Sequence, residues 1–252
     1  MKYVIAGNFM IKDGNSSVKH LNIKLYADGA NLADMVEEYN KGIVSGFTTN
    51  PTLMKKAGIS SYEKFAREVL KSIPDLPISF EVFSDDLLSI EKEARIISSW
   101  GDNVYIKIPI TNTKGESTAP IIKKLSSEGL KLNITAILTI EQIKLISGVL
   151  SPDTDSIVSV FAGRIADTGV DPMPIMKEAK AILSANPKAE LLWASTRELL
   201  NLFQAEACGC HIITITNDIL KKIPLIGKDL SELSLETVNM FYMDAQSAGY
   251  RI

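Results

Sequence analysis

Asn103-Val-Tyr-Ile-Lys-Ile-Pro-Ile-Thr111 is the stretch on which the reading of this chain turns. Its strand-like part, Val104–Pro109, is an apolar run interrupted only by Lys107. Lysine is among the side chains least often buried, so Lys107 admits two readings. On the first, its alternating position faces solvent or an ion-pair partner. On the second, it is held in a dry pocket that penalises the ammonium, and the neutral amine attacks a carbonyl to form a Schiff base.

Working outward, further β-like runs cover Ile23–Asp28, Ile43–Thr48, Ile78–Phe83, Leu130–Thr135, Ile157–Phe161, Leu191–Ser195 and Ile212–Thr216. Between them, apolar residues recur at helical spacing. Leu32, Met35, Val36 and Tyr39 form one such stripe, and Leu199, Leu200, Phe203 and Ala207 form another, with Gly209 placed as a C-cap. Strands that alternate with helices, with no long linker and no composition break, predict a single α/β domain. The fold expected is a (β/α)8 TIM barrel over residues 23–252, after an N-terminal extension of residues 1–22. A length of 252 residues suits this barrel, although two smaller domains would also fit. A doubly wound open sheet is the alternative, disfavoured because no Gly-x-Gly-x-x-Gly follows the first strand and no phosphate-loop lysine motif occurs. After Pro224 a terminal helix is expected over Leu235–Ala248. Its apolar stripe of Leu235, Val238, Phe241, Tyr242 and Ala245 suits either core or subunit interface.

The charges are interspersed and sum to -3, so neither nucleic acid nor an anionic membrane surface is expected as a partner. No stretch approaches the length of a membrane span. Met1–Met10 is similar to a short signal h-region, but Asn8 interrupts it and no small-residue cleavage site follows, so the expectation is a cytoplasmic protein. The two cysteines, Cys208 and Cys210, are too few and too close for a disulfide framework. With His211 they invite a metal reading, but a second ligand pair is missing. No metal and no cofactor are expected.

Barrels of this kind carry reactive groups at the C-terminal strand ends and the loops that follow. Those ends present Asp28, Thr48 with Asn50, Glu81, Lys107, Asn133 with Thr135, Ser159 with Phe161 and Arg164, and Ser195 with Arg197. Residues two apart, such as Asn133 and Thr135, share one face of a strand. Each of these polar residues alone could be a cap or a turn former, as Asn50-Pro51 is an ordinary helix start. Six polar strand ends around one lysine are harder to assign to capping.

These residues carry a family resemblance. Gly46-Phe-Thr-Thr-Asn-Pro51, Ile106-Lys-Ile-Pro109, Glu128-Gly-Leu-Lys-Leu-Asn-Ile-Thr135, Phe161-Ala-Gly-Arg164-Ile165 with Asp167, and Ala194-Ser-Thr-Arg197 occur in one order. In that combination the chain resembles the transaldolases, of the compact type similar to fructose-6-phosphate aldolase. The resemblance implies that Lys107 is the Schiff-base lysine. It implies that Glu81, with Thr135, positions a water that shuttles protons during carbinolamine dehydration. Asp28 matches the aspartate that acts as acid and base on the hydroxyl whose deprotonation breaks the C–C bond. Asn50 and Asn133 match asparagines that bind the hydroxyls of a dihydroxyacetone unit, and Thr48, Ser159 and Phe161 belong to the same substrate site. Arg164, Ser195 and Arg197 match a phosphate-binding set. Sugar phosphates are therefore the implied substrates, in carbohydrate metabolism of the pentose phosphate kind. Compact members of the family form ring assemblies through the terminal helix, which implies a homo-oligomer. The first 22 residues have no recognisable counterpart. Gly29-Ala30-Asn31 stands where the family usually has Thr-Ala-Asn.

Two positions speak to reaction type. In the resemblance, transaldolases carry glutamate in the third strand and phenylalanine before the Gly-Arg segment, whereas the aldolases carry glutamine and tyrosine. Glu81 and Phe161 are of the transaldolase type, so transfer of a three-carbon unit is preferred over simple aldol cleavage. A barrel that binds sugar phosphates without catalysis, and a metal-dependent isomerase, are the readings from other classes. The first leaves Lys107, Asp28 and Glu81 without a purpose. The second lacks ligands, since the only histidines are His20, in the extension, and His211, near the start of a strand.

Overall fold

The computed structural model describes residues 21–252, so most of the expected extension, including His20, lies outside the described residues. Eight strands run parallel in the order β1 to β8 and close on themselves, as expected for a (β/α)8 barrel. They are β1 (Lys24–Asp28), β2 (Gly46–Thr48), β3 (Ile78–Glu81), β4 (Val104–Pro109), β5 (Leu132–Ile137), β6 (Ser156–Val160), β7 (Ala189–Trp193) and β8 (Ile212–Thr216). The helices that separate the first five strands are α1 (Leu32–Lys41), α2 (Pro51–Lys56), α3 (Tyr62–Ser72), α4 (Leu87–Ser98) and α5 (Ala119–Ser127). Beyond β5 come α6 (Ile140–Ser147), α7 (Ala162–Ala166), α8 (Met173–Leu183), α9 (Leu200–Ala207), α10 (Asn217–Leu220) and α11 (Leu230–Ser247).

Side chains alternate along each strand between the barrel interior and the helical shell. The outward set, including Ile106, Ile108, Ile134, Val158, Leu191 and Ile213, packs with Met35, Val69, Ile97, Leu125, Ile146, Met176 and Leu202 of the helices in one continuous core. The inward set is smaller. Tyr26, Ile157, Leu192 and Ile212 form an apolar layer across the barrel, with Tyr105 packed against it. Gly46 belongs to that layer for a steric reason. A Cβ there would stand 2.5 Å from the Tyr26 ring, so the missing side chain is what lets the tyrosine fill the barrel axis. This layer closes the interior from below, and the polar residues lie above it.

Two strands have the bounds read from the sequence, β4 and β8. Elsewhere the ends shift for local reasons. The third strand stops at Glu81 because the Glu93 carboxylate accepts from Phe83 N at 2.7 Å and Ser84 N at 2.9 Å, drawing the chain out of the sheet. Gly42, in the left-handed region, donates to Tyr39 O as the C-cap of α1, which delays β2 to Gly46. The fifth strand starts and ends two residues later than expected and carries an irregularity between Ile134 and Ile137, where Ala136 has φ 59°. The terminal helix starts at Leu230 rather than Leu235. The Asp229 side chain accepts from Ser231 N and Glu232 N and nucleates the extra turn. None of the 18 residues of α11 is buried. Among the described residues no helix is long and apolar enough to cross a membrane.

Candidate active site

The inward residues above the Tyr26 layer enclose a cavity of about 530 Å³ at the C-terminal ends of the strands. Of the residues singled out in the sequence, Asp28, Thr48, Asn50, Glu81, Lys107, Thr135, Ser159, Phe161, Arg164, Ser195 and Arg197 line it. Asn133 does not. It lies two residues below Thr135 on β5, fully buried, where its Oδ1 accepts from Ser159 Oγ at 2.7 Å and its Nδ2 donates to Ser79 Oγ at 3.0 Å. Asn133 thus holds Ser159 from beneath the cavity instead of opening onto it.

Lys107 is 6% exposed, and its surroundings combine features of both sequence readings. Its side chain points into the barrel, but the surround is polar. Nζ lies 3.0 Å from Glu81 Oε2 and donates to the Thr49 carbonyl at 3.0 Å. The carboxylate reaches it because Glu81 and Lys107 are register partners on adjacent strands. Glu81 is anchored from behind, its own carbonyl accepting from Tyr62 Oη at 2.9 Å. Asp28 ends β1 on the far side of β2. Its Oδ1 accepts from Thr48 Oγ1 at 2.8 Å. Burial pushes the Asp28 carboxyl above its ordinary pKa, while Lys107 and the Thr48 hydroxyl pull in the opposite direction. The cavity therefore holds two carboxylates in different surroundings, one ion-paired with the amine and one kept closer to its neutral form. Thr135 Oγ1 is buried with no hydrogen-bond partner among the described residues, a group that a bound molecule in the cavity would satisfy.

The opposite rim is basic. Arg164, on the short helix α7, places its guanidinium 5.6 Å from the centre of the Phe161 ring. Arg197 follows β7 and makes a two-point pair with Asp167, Nε to Oδ1 at 3.0 Å and Nη2 to Oδ2. The pair leaves Nη1 of Arg197 for another acceptor. What brings the two arginines together is a backbone crossing. Gly163 donates to Ala194 O at 3.3 Å, and a Cβ on Gly163 would fall 1.6 Å from Ser195 O, so no other residue fits. Ser195 itself has φ 64°, uncommon for a residue with a side chain and typical of a functional turn. Asn50 caps α2, its Oδ1 accepting from Leu53 N at 3.0 Å, so its NH2 group is the part that can meet a ligand.

The structure adds lining residues not singled out in the sequence, among them Thr214 and Thr216 of β8 and the left-handed Ala136. Thr214 and Thr216 were accessible to reading, because they share the alternation that turns Lys107 inward. Away from the cavity, His211 precedes β8 at the closed end of the barrel. Its Nδ1 accepts from Leu191 N at 2.7 Å and its Nε2 lies 2.5 Å from Lys180 Nζ. Cys208 and Cys210 are buried beside it, with their thiols pushed up by burial. Among the described residues no group of three His, Cys, Asp or Glu side chains is arranged to hold a metal.

The transaldolase/fructose-6-phosphate aldolase family matches this chain over residues 25–252. A protein of Listeria monocytogenes named "Probable transaldolase 2" is 34% identical over 213 residues, covering 82% of this chain and 93% of that protein. A "Probable transaldolase" of Thermoplasma volcanium is 36% identical over 202 residues, covering 79% of this chain and 86% of its own length. Among solved structures, KGPDC from Streptococcus mutans superposes with a TM-score of 0.51 at 10% identity, over 77% of this chain and 88% of that one. That likeness is one of fold alone.

Proposed function

The chain belongs to the transaldolase/fructose-6-phosphate aldolase family, and on that premise we propose that it is a transaldolase, moving a dihydroxyacetone unit from a ketose phosphate to an aldose phosphate through a Schiff base on Lys107. Fructose 6-phosphate and sedoheptulose 7-phosphate are donors of the right chemistry. The observation that carries the reading is the facing set of Lys107, Glu81 and Asp28 in one cavity, an amine flanked by two carboxylates of unlike character.

Glu81, 3.0 Å from Nζ, takes the ammonium proton, and the freed amine of Lys107 adds to the ketose C2. The carbinolamine loses water, its protons carried by a water held between Glu81 and Thr135. Asp28 then takes the proton of the C4 hydroxyl, the C3–C4 bond breaks, and its electron pair passes through C2 to the iminium nitrogen. The aldose leaves, and the three-carbon unit stays on Lys107 as an enamine. Its carbon adds to the aldehyde of the acceptor, Asp28 returns the proton to the new hydroxyl, and water hydrolyses the imine. Asn50 and Ser159 meet the hydroxyls of the three-carbon unit, with Asn133 supporting Ser159 from below. Arg164, Ser195 and Arg197 receive the phosphate, for which a guanidinium fork is suited by shape as well as charge.

Borohydride separates this reading from a sugar-phosphate-binding barrel without chemistry. Reduction in the presence of fructose 6-phosphate should add the mass of a reduced three-carbon adduct to the peptide containing Lys107, and an unmodified peptide sinks the proposal. Aldolase-type cleavage uses the same intermediate and is the second reading; Glu81 and Phe161 favour transfer. We also read the protein as a homo-oligomer, on the ground that α11 buries none of its residues while Leu235, Val238, Phe241 and Tyr242 are all exposed.

A further inference from the structure

Thr214 of β8 faces the cavity that holds Asp28, and the reaction above gives it no task. It is 6% exposed, with Oγ1 2.5 Å from Thr48 Oγ1. A threonine hydroxyl carries one proton. With Asp28 ionised, Thr48 gives its proton to Oδ1 at 2.8 Å, which makes Thr214 the donor in the contact between the two threonines. The result is a directed chain, Thr214 to Thr48 to Asp28, joining the two strands that flank β1 to the carboxylate β1 carries. Thr214 is fixed in its turn, since its carbonyl accepts from Thr196 Oγ1 at 2.7 Å across the β7–β8 seam.

We propose that Thr214 is a positioning residue for Asp28, acting through Thr48 to fix the orientation in which the carboxylate meets the substrate hydroxyl. The inference deepens the proposed reaction and rests on it. An acid–base group that works in both directions must be satisfied in both protonation states without moving. The hydroxyl chain allows this by rotation about two C–O bonds. With Asp28 ionised, the donations run toward the carboxylate. With Asp28 protonated on Oδ1, the acid donates to Thr48 and Thr48 to Thr214, and every oxygen stays in place. Thr48 accordingly serves the carboxylate before it serves the sugar.

Chains of hydrogen bonds strengthen one another by about 10–30% per bond, so loss of the Thr214 hydroxyl weakens the Thr48 bond to the ionised carboxylate. Charged groups that share the cavity with Asp28 are Lys107 of β4, Glu81 of β3, Arg164 of α7 and Arg197 after β7. The cavity behind it, which Asp28 also lines, contains Asp34, Glu38, Lys56 and Asp218. Changing Thr214 leaves all of these in place. A 13C-carboxyl NMR titration of the full chain, with the Asp28 signal assigned through Asp28→Asn, tests the chain directly. In Thr214→Val and Thr214→Ala the midpoint should rise by about 0.3–0.6 of a pH unit, about two- to fourfold in the ionisation constant. Thr214→Ser should restore it, and the acid limb of kcat/KM should move in step. On a Thr48→Val background, Thr214→Val should add no further shift. A role in packing alone would lower Tm and leave the midpoint where it was. If the midpoint is unmoved in the Val and Ala variants, or moves equally in the Ser variant, the proposal is overturned. The titration needs no turnover, so the two readings fail separately. No borohydride adduct on Lys107 together with a shifted midpoint rejects the transfer reaction; an adduct with an unmoved midpoint rejects the role of Thr214.

Discussion

Glu81 and Lys107 stand opposite each other in the register of β3 and β4, and their side chains meet at 3.0 Å on the cavity wall. Truncating Lys107 therefore does two things. Lys107→Ala removes the nucleophile, and transfer should fall below detection with no borohydride adduct formed anywhere in the chain. It also leaves Glu81 largely buried without its cation, and removing one partner of such a pair destabilises. Because the pair borders an open cavity, a cost of about 1–3 kcal/mol is expected, at the lower end of what buried groups show. Urea denaturation should detect it, and Glu81→Gln in the same background should recover part of the loss. An adduct on a peptide other than the one holding Lys107 would refute the assignment.

Phosphate recognition is assigned to Arg164 and Arg197. A charge-assisted contact contributes about 1.5–3 kcal/mol, so replacing either with Ala should raise KM for phosphorylated substrates by roughly tenfold to a hundredfold. Unphosphorylated analogues should be nearly indifferent. Arg197 is held by Asp167, so Arg197→Lys, which loses the two-point fork, should behave almost as badly as Arg197→Ala. Equal losses with both substrate types would make the arginines structural.

Asp28 gives a prediction in stability as a function of pH. Burial raises its carboxyl pKa in the folded chain above the ordinary 3.8. The folded state thus holds this proton to higher pH than the unfolded state does. The stabilisation is fully present below pH 3.8 and is lost as pH rises through the folded value. Asp28→Asn should abolish transfer and remove that loss, raising Tm at pH 7 above that of the parent chain. The gain should vanish near pH 3.5. A variant less stable than the parent at pH 7 would contradict the burial argument.

What the sequence revealed of this molecule follows from the range of the forces involved. Strands such as β4 and β8 are bounded by residues that end them locally, and their limits are legible. The end of β3 depends on Glu93 reaching back to Phe83 and Ser84 from a later helix, which no strand pattern contains. The C-terminal strand ends pointed to Asp28, Glu81, Lys107 and Thr135, and the end of β8 offers Thr214 by the same rule. Depth was not legible. Asn133 and Thr135 share a face, but a rise of about 6.6 Å over two residues separates a group beneath the cavity from one on its wall. The positive φ of Ser195 was hidden too, because it arises where Gly163 crosses it, 32 residues earlier in the chain.

The terminal helix tests the assembly. Phe241, Tyr242 and Met243 are each more than 60% exposed in the single chain, an arrangement that water disfavours unless another surface covers it. Light scattering should find more than one copy per particle. Phe241→Glu with Val238→Glu should reduce the mass toward 27.6 kDa. A parent chain that runs at that mass would remove the homo-oligomer reading.

Reaction type turns on Phe161, which lines the cavity on the Arg164 side and presents a ring without a hydroxyl. After C–C cleavage the enamine on Lys107 has two fates. Protonation at carbon leads to free dihydroxyacetone, and addition to an aldehyde completes transfer. A phenol at position 161 would hold and orient a water as proton donor; a phenyl ring makes no such bond. The enamine of this enzyme should therefore wait for an acceptor. Release of dihydroxyacetone from fructose 6-phosphate should be at least about tenfold slower than transfer to erythrose 4-phosphate, matching about 1.4 kcal/mol for one missing hydrogen bond in the protonation step. Phe161→Tyr should shift the ratio toward release without changing the borohydride adduct, since the intermediate is common to both fates. Parallel assays of free dihydroxyacetone and of sedoheptulose 7-phosphate measure that ratio. If the parent enzyme releases the three-carbon unit as fast as it transfers it, the cleavage reading replaces the transfer reading, and Glu81 and Phe161 do not decide the reaction.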